Sequence, residues 1–133
     1  MSSEPSPLLE TMLAAIEVDL QIATDAFDPR LYRDLYEMVA YHLGWKGADG
    51  AARGKRIRPL LTLVTCQACG GRWQIAIPAA TAVELIHNFS LIHDDIEDAS
   101  EMRRGSPALH KKYDWTLALN AGDALHAMMW GAL

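Results

Sequence analysis

Acidic residues crowd into one short segment of the chain, Asp94–Asp98, and two arginines, Arg103 and Arg104, follow closely. Four of the five positions in the segment are acidic, although the surrounding sequence is typical of an apolar helix. Like charges within one helical turn repel each other, and burial makes the repulsion worse. A divalent cation would neutralise the cluster, and the arginines indicate that an anion comes with it. These residue types therefore predict a receptor for a metal-bound diphosphate.

The acidic residues belong to a longer stripe on the same predicted helix. Spacings of three and four place five residues on one helical face: Glu84, His87, Leu91, Asp94 and Asp98. Asp94 and Asp98 lie one turn apart, about 6 Å along the axis, so their carboxylates are predicted to bind Mg²⁺, which prefers oxygen ligands. His87 is predicted to donate to another phosphate. The alternative, a solvated helix end, places acids where the helix dipole disfavours them.

A second charged cluster, Arg53–Pro59, contains Lys55 and Arg58 at the point where a loop is predicted to enter a helix. Backbone N–H groups and the helix dipole favour anions at such a junction. Taken alone, a basic run at the start of a helix is usually a solvated surface. In a chain that also carries a magnesium-type acid cluster, the two clusters together predict separate pockets for two diphosphates.

The spacing of apolar residues indicates that helices position both clusters. Apolar residues recur at spacings of three and four along almost the whole chain, and no segment alternates with a period of two. The predicted elements are helices over 9–23 and 31–42, a Gly- and Ala-rich loop over 44–54, helices starting near Pro59 and Pro78, a turn at Arg104–Pro107, a short helical piece, and a long helix from about Trp115. The predicted fold class is all-α.

The composition is that of an ordinary globular protein, with 50% apolar and 22% charged residues among 133. A formal net charge of -5 argues against general nucleic-acid binding. The start of the chain lacks the pattern of a secretion signal, and no uncharged apolar run reaches the roughly 18 residues of a membrane span. These observations predict a cytoplasmic protein without a transmembrane segment. Cys66 and Cys69 are interpreted as two buried small residues on one helical face rather than as a redox or zinc pair.

Five short motifs follow one another in a specific order. They are Gly54–Pro59 (GKRIRP), Glu84–His87 (ELIH), Ser90–Asp98 (SLIHDDIED), Arg103–Gly105 (RRG) and Asn120–Asp123 (NAGD). Together they resemble the trans-isoprenyl diphosphate synthase (polyprenyl synthetase) family. Terpene cyclases also use a D-D-x-x-D motif, but they lack the G-K-x-x-R-P element. The resemblance implies an antiparallel helical bundle of the isoprenoid synthase type, of which residues 1–133 would be the N-terminal part, and typically a homodimer.

The resemblance also implies roles for individual residues. Asp94 and Asp98 resemble the family's magnesium ligands for the allylic diphosphate, and Asp95 has a supporting position between them. Arg103 resembles the arginine that contacts the allylic diphosphate. The residues that match those holding isopentenyl diphosphate are Lys55, Arg58, His87 and Arg104. The implied reaction is head-to-tail 1'-4 condensation of isopentenyl diphosphate with an allylic diphosphate, with Mg²⁺ as cofactor and with Asp94, Asp95, Asp98 and Arg103 as the catalytic set.

Phe89 and Ser90, which precede the acid segment, bear on product length. Phe89 lies five residues before Asp94, about 7.5 Å along the helix, where family members place a floor for the growing chain. Ser90, the next residue, is small. This combination resembles short-chain synthases of the geranylgeranyl type, and farnesyl diphosphate stays open as the product. The alternative interpretation of Phe89 is an ordinary core residue.

One part of the family pattern is absent from this sequence. The family has a second acid-rich motif on a later helix, whereas the acids after Asp98 are Glu101, Asp114 and Asp123, which are too dispersed for that task. Family members are also much longer. We therefore expect the chain to be a truncated portion that lacks turnover by itself.

Two other functions compete with a catalytic prenyltransferase. The first is a noncatalytic or regulatory subunit of a heteromeric prenyl synthase, although the intact set of binding residues argues against it. The second is an HD-type metal phosphohydrolase, suggested by the pair His93 and Asp94. That function needs further metal ligands and leaves Lys55, Arg58 and Arg104 unexplained.

Overall fold

Helices make up most of the structure, which is a computed structural model describing residues 6–46 and 53–133. In chain order the elements are α1 (Pro7–Asp25), α2 (Arg33–His42), α3 (Ile57–Ala68), a 3-10 turn (Trp73–Ala76), α4 (Ile77–Glu97), β1 (Met102–Arg103), β2 (Ser106–Pro107), α5 (Leu109–Lys112) and α6 (Trp115–Ala132). The all-α prediction is confirmed, and each predicted helix is present. Part of the expected loop over 44–54 lies outside the described residues.

Local sequence explains where the first and last helices begin. At α1, the Ser6 hydroxyl accepts a hydrogen bond from the N–H of Leu8 at 3.3 Å, and Pro7 occupies the first turn. At α6, the Asp114 carboxylate accepts from the N–H of Thr116 at 2.9 Å. Each cap satisfies a backbone donor that has no partner inside its own helix.

α4 is the central helix, and it packs against α1, α3 and above all α6. Leu85 and Ile92 of α4 and Leu125 of α6 are almost completely buried in the core. At one point the two helices approach closely, because a Cβ atom on Gly122 of α6 would lie 2.7 Å from Cδ2 of His93 on α4. The contact with α6 therefore fixes the helix that carries the predicted chemistry.

A small β-hairpin follows α4 where the sequence predicted only a turn. Met102 pairs with Pro107 and Arg103 with Ser106 in antiparallel register. The two residues between the strands, Arg104 and Gly105, have positive φ angles of 51° and 79°, as a tight hairpin turn requires. Strands of two residues are too short to produce an alternating pattern, which is why the pattern did not predict them.

The prediction for the two cysteines is wrong. Cys66 is only half-buried and Cys69 is exposed, and both are free thiols. The buried face of α3 consists of Pro59 and Leu63, and it faces the core only over the first half of the helix. Cys66 lies at the edge of that face, and Cys69 follows the last residue of the helix, so neither reaches the interior.

The 3-10 turn and α4 together form a stretch, Trp73–Glu97, that is long enough and apolar enough to cross a membrane, and an 18-residue window of it has a mean hydropathy of 1.5. Among the described residues it is the one stretch with these properties. Four of its buried residues are polar or charged, namely Thr81, Glu84, Asn88 and Asp95. Asn88 donates a hydrogen bond of 2.9 Å to the Glu84 carboxylate. Because the stretch also packs against four other helices, α1, α3, α5 and α6, we interpret it as a core helix.

His42, the last residue of α2, is a buried neutral side chain. It is 7% exposed, and its Nε2 has no hydrogen-bond partner among the described residues. Burial, together with the positive charges of Arg104 and Arg103, lowers the pKa of His42 from 6.5 to about 3. In the native protein this imidazole is therefore uncharged at neutral pH.

We expect His42 to make the protein sensitive to acid. Between the unfolded pKa of 6.5 and the folded pKa of about 3, only the unfolded chain binds the proton, so stability is full above pH 6.5 and falls below it. The loss is about 1.4 kcal/mol per pH unit, or about 2 kcal/mol at pH 5. Denaturant unfolding at pH 7.5 and pH 5 measures it. His42→Met should remove this share of the pH dependence, whereas His126→Met, at an exposed position, should leave the pH dependence unchanged. Equal slopes of unfolding free energy against pH in the two variants contradict the assignment to His42.

Candidate active site

The basic loop, residues 53–56, leads into α3 beside a cavity on the surface of the bundle. Lys55 and Arg58 are both exposed, and Nη1 of Arg58 lies 3.1 Å from Nε2 of His87 on α4. Arg104 of the hairpin completes the cationic lining of the cavity, whose volume is about 160 Å³. Three separate segments thus bring together the four residues that the resemblance connects with isopentenyl diphosphate.

The electrostatics of this cavity suit an anion. Burial and the charge of Arg58 lower the pKa of His87 below its ordinary value, so the ring is mainly neutral at pH 7 and can accept from Arg58. Burial, followed by the charge of Arg56, also lowers the pKa of Arg104 from its ordinary value. Both shifts arise because cations are gathered around a partly buried space, and a bound diphosphate would relieve that repulsion.

Gly54 allows the hairpin to approach the basic loop. Its φ is +71°, and a Cβ atom there would lie 3.0 Å from Cζ of Arg104. A side chain at this position would therefore be both strained and in conflict with the guanidinium. The glycine of the G-K-x-x-R-P motif is explained by this contact.

Arg56, between Lys55 and Arg58, turns inward and is 5% exposed. Nε donates to Glu17 of α1 at 2.7 Å, Nη1 to Glu84 of α4 at 2.9 Å, and Nη2 to the carbonyl of Leu43 at 3.0 Å. Burial alone would raise the pKa of Glu17, but the hydrogen bond and charge of Arg56 outweigh it and lower that pKa. Glu84, which the sequence placed on the acidic stripe, is therefore a partner of Arg56 and not part of the acid cluster.

The acid segment forms the last turn of α4 and the residue after it. Asp94 and Asp98 are exposed, whereas Asp95 is 2% exposed. Asp95 accepts two hydrogen bonds from Arg103, from Nε at 2.5 Å and from Nη2 at 2.8 Å. The hydrogen bond to Asp95 raises the pKa of Arg103 above its ordinary value. The middle aspartate thus holds the hairpin arginine beside the two exposed aspartates.

The carboxylates of Asp94 and Asp98 are suited to bind a magnesium ion that also binds phosphate oxygens. Neither Asp94 nor Asp98 makes a side-chain hydrogen bond or ion pair with any described residue. Across 6–46 and 53–133, no group of three or more His, Cys, Asp or Glu side chains is arranged to hold a metal. Two carboxylates alone leave most of an octahedral shell to water and phosphate oxygens, which is how Mg²⁺ is usually bound.

An aromatic wall lies between α4 and α6, on the N-terminal side of the acid turn. The ring of Phe89 is 4.4 Å from that of His93 and 5.2 Å from that of His126, measured between centroids. Trp130 continues the wall, with its ring 6.4 Å from His126. Ser90 is half-buried, and its hydroxyl donates to the carbonyl of His87 at 2.7 Å. Phe89 therefore lies between α4 and α6, and its role as a floor stays a prediction.

Sequence reasoning missed the inward side chain of Arg56 and the imidazole of His93, which lies 3.4 Å from the Asp123 carboxylate of α6. Both residues stand within motifs that the sequence did identify. The close position of Asn120–Asp123 to the acid segment was signalled only by the co-occurrence of the two motifs. No spacing rule within one helix could have paired residues that lie on different helices.

Similarity to known proteins assigns the chain to a family. A family model described as polyprenyl synthetase matches residues 47–133. The match covers well over half of the chain, and the chain belongs to the polyprenyl synthetase family.

Individual relatives agree with that assignment. The chain is 36% identical over 131 residues to a geranylgeranyl diphosphate synthase of Mycobacterium tuberculosis strain H37Rv, covering 96% of this chain and 37% of that protein. It is 39% identical over 129 residues to a (2E,6E)-farnesyl diphosphate synthase of the same strain, covering 94% and 35%. The chain thus spans little more than a third of the length of these curated relatives.

Solved structures support the fold. The crystal structure of a polyprenyl synthetase from Streptomyces coelicolor A3(2) matches with a TM-score of 0.81 and 35% identity, over 95% of this chain and 37% of that one. A geranylgeranyl pyrophosphate synthetase from Pyrococcus horikoshii Ot3 matches with a TM-score of 0.78 and 36% identity. The predicted helical bundle of the isoprenoid synthase type is confirmed.

Proposed function

We propose that the protein is a short-chain prenyltransferase that condenses isopentenyl diphosphate with an allylic diphosphate. One observation carries the proposal: the cationic cavity at His87 and the free aspartates at Asp94 and Asp98 lie on the same helix. Seven residues separate His87 from Asp94, about 10 Å along the axis. Two diphosphates bound at these points would hold their carbon chains side by side, as a condensation requires.

The cavity residues would hold isopentenyl diphosphate. Lys55 and Arg58 supply charge at the N-terminus of α3, where the helix dipole also favours an anion. Arg104 and His87 contribute from the hairpin and from α4. Their task is positioning, because the reacting double bond lies at the other end of this substrate.

The acid turn would hold the allylic diphosphate. Asp94 and Asp98 are suited to bind Mg²⁺, which when bound would neutralise the departing diphosphate. Arg103, oriented by Asp95, would donate to the same leaving group. The allylic C–O bond breaks with its electron pair on the diphosphate. The double bond of isopentenyl diphosphate attacks the allylic carbon, and the resulting carbocation would lose a proton to the departed diphosphate, which completes the product.

The test of this function is a magnesium-dependent prenyl-transfer assay on the protein at its natural length. Isopentenyl diphosphate is supplied with dimethylallyl, geranyl or farnesyl diphosphate, and products are separated by chromatography. We expect a longer prenyl diphosphate that disappears when magnesium is chelated. No product with any of these primers, from folded protein that binds isopentenyl diphosphate, contradicts the proposal.

We infer a geranylgeranyl or farnesyl product, and Phe89→Ala should lengthen it. The phenyl ring closes the space between α4 and α6, so its removal opens room for at least one more isoprene unit of about five carbons. Chromatography of the products measures the change. Phe27→Ala, the same replacement in the connection after α1, is the matched control and should leave product length unaltered. An unchanged product from Phe89→Ala places the floor elsewhere.

Several expectations from the resemblance remain predictions. They are a cytoplasmic homodimer and the position of residues 1–133 in the N-terminal part of a single isoprenoid synthase domain. Light scattering on the protein at its natural length measures whether it is a homodimer. The relatives named above are synthases, and they give no support to the noncatalytic subunit.

A further inference from the structure

Arg56 takes no direct part in the proposed reaction, yet it is buried, whereas the other basic residues of the cluster, Arg53, Lys55 and Arg58, are exposed. Its side chain is 3% exposed, and its guanidinium binds groups from three parts of the chain. Glu17 lies on α1, Leu43 follows α2, and Glu84 lies on α4 one turn before His87. A guanidinium has a rigid planar fork, so three partners in fixed positions determine its orientation as well as its location.

The backbone at Arg56 is in an unusual conformation. Its φ of 49° lies in the left-handed region, which a residue with a side chain adopts only when its surroundings hold it there. This conformation directs Arg56 into the bundle, while its neighbours Lys55 and Arg58 are exposed beside the cavity. The inward and outward directions of these three basic side chains are therefore coupled.

We propose that Arg56 is a positioning residue for the isopentenyl diphosphate site, acting through the backbone of the basic loop. The three contacts of Arg56 hold residues 54–58 in the one conformation that aims Lys55 and Arg58 at the cavity. The same network fixes Glu84 and, through it, the turn of α4 that carries His87. This inference rests on the proposed function, since it concerns the same cavity.

The hydrogen bonds of Arg56 also neutralise a negative charge beside the cavity, that of Glu84. Glu84 lines the cavity, and as a free carboxylate it would repel a diphosphate. Its Oε1 instead receives Arg56 at 2.9 Å and Asn88 at 2.9 Å. Trp45 Nε1 donates to the second oxygen of Glu17 at 3.0 Å, which holds the other carboxylate in place. Loss of Arg56 would thus disturb the loop and expose the anion site to a negative charge.

The experiment compares variants of the protein at its natural length. Arg56→Met removes the charge and the fork, Arg56→Lys keeps the charge alone, and Arg56→Gly removes the anchor but accepts the left-handed backbone without strain. Glu17→Gln weakens one contact on the side away from the cavity. Arg72→Met, at an exposed arginine, is the matched control. KM for each substrate, kcat, calorimetric binding of isopentenyl diphosphate without magnesium, and thermal midpoints are measured.

We expect Arg56→Met to raise KM for isopentenyl diphosphate and its dissociation constant by about tenfold to a hundredfold, because misplacement of binding groups acts on that substrate alone. KM for the allylic diphosphate should change by less than about twofold. Arg56→Lys and Glu17→Gln should give smaller increases, and Arg56→Gly should resemble Arg56→Met. Arg72→Met should behave as the unsubstituted protein.

The outcomes separate this inference from the proposed function. A merely structural role lowers the thermal midpoint and kcat while both KM values and the dissociation constant stay the same, and that result overturns the inference. If Arg56→Met does not fold, the dissociation constants of Arg56→Lys and Glu17→Gln for isopentenyl diphosphate test the inference instead. Unchanged constants in both variants overturn it. Binding that weakens as expected in a protein without prenyl transfer sinks the proposed function and leaves the positioning role standing.

Discussion

Replacement of Asp94 by alanine should lower prenyl transfer by about a thousandfold, equivalent to about 4 kcal/mol of transition-state stabilisation. The carboxylate makes no side-chain hydrogen bond or ion pair with the described residues, so its proposed role is to bind a magnesium ion that holds the leaving diphosphate. Removal of an exposed acid from a crowded turn should leave the free energy of unfolding within about 0.5 kcal/mol. Steady-state turnover and urea unfolding of the protein at its natural length measure the two effects.

Glu97→Ala is the matched control for Asp94→Ala. Glu97 is an exposed acid in the same turn, and its side chain is directed about 100° around the helix axis from that of Asp98. We expect turnover within about threefold of the unsubstituted protein. Equal losses in the two variants would show that general negative charge matters rather than one metal-binding carboxylate. Unchanged turnover in Asp94→Ala removes its metal role.

Replacement of Glu84 by alanine should have the largest effect on stability, a loss of about 3 kcal/mol in the free energy of unfolding. The carboxylate is 4% exposed and neutralises Arg56, which is 3% exposed. Without it, Arg56 keeps one carboxylate partner at Glu17, and the amide of Asn88 loses an acceptor. Guanidinium unfolding measures the change.

Glu101→Ala provides the comparison for Glu84→Ala. The Glu101 side chain is 83% exposed, and its ion pair with Lys111 is 3.5 Å long. Exposed pairs contribute little, so we expect a change below about 0.5 kcal/mol. A loss of less than about 1 kcal/mol in Glu84→Ala would mean that water or a rearranged side chain replaces the buried carboxylate.

The helices and the acid turn were predictable because both depend on local spacing. Apolar residues three and four apart define the buried face of each helix, and the same rule places Asp94 and Asp98 together. The hairpin and the direction of Arg56 were not predictable in this way. Arg56 faces inward because Glu17, 39 residues away, and Leu43, 13 residues away, accept its hydrogen bonds.

Charge alone also could not assign the members of the acid and basic clusters to their roles. Asp94 and Asp95 are neighbours of identical type, yet one is exposed and the other is buried against Arg103. The difference arises because the hairpin folds back on one side of α4 only. A sequence motif names the residues of such a cluster, and tertiary contacts decide which of them are free to bind a ligand.

The close approach of Gly122 to His93 links a glycine of α6 to the C-terminal end of α4, which carries the proposed metal ligands. The imidazole of His93 rests on the backbone of α6, and it immediately precedes the first aspartate of the acid turn. A methyl group at residue 122 would lie 2.7 Å from the ring, so the ring or the spacing of the two helices would have to change. We therefore expect substitutions at residue 122 to disturb the end of α4 that carries the proposed metal ligands, although residue 122 itself lies on a different helix.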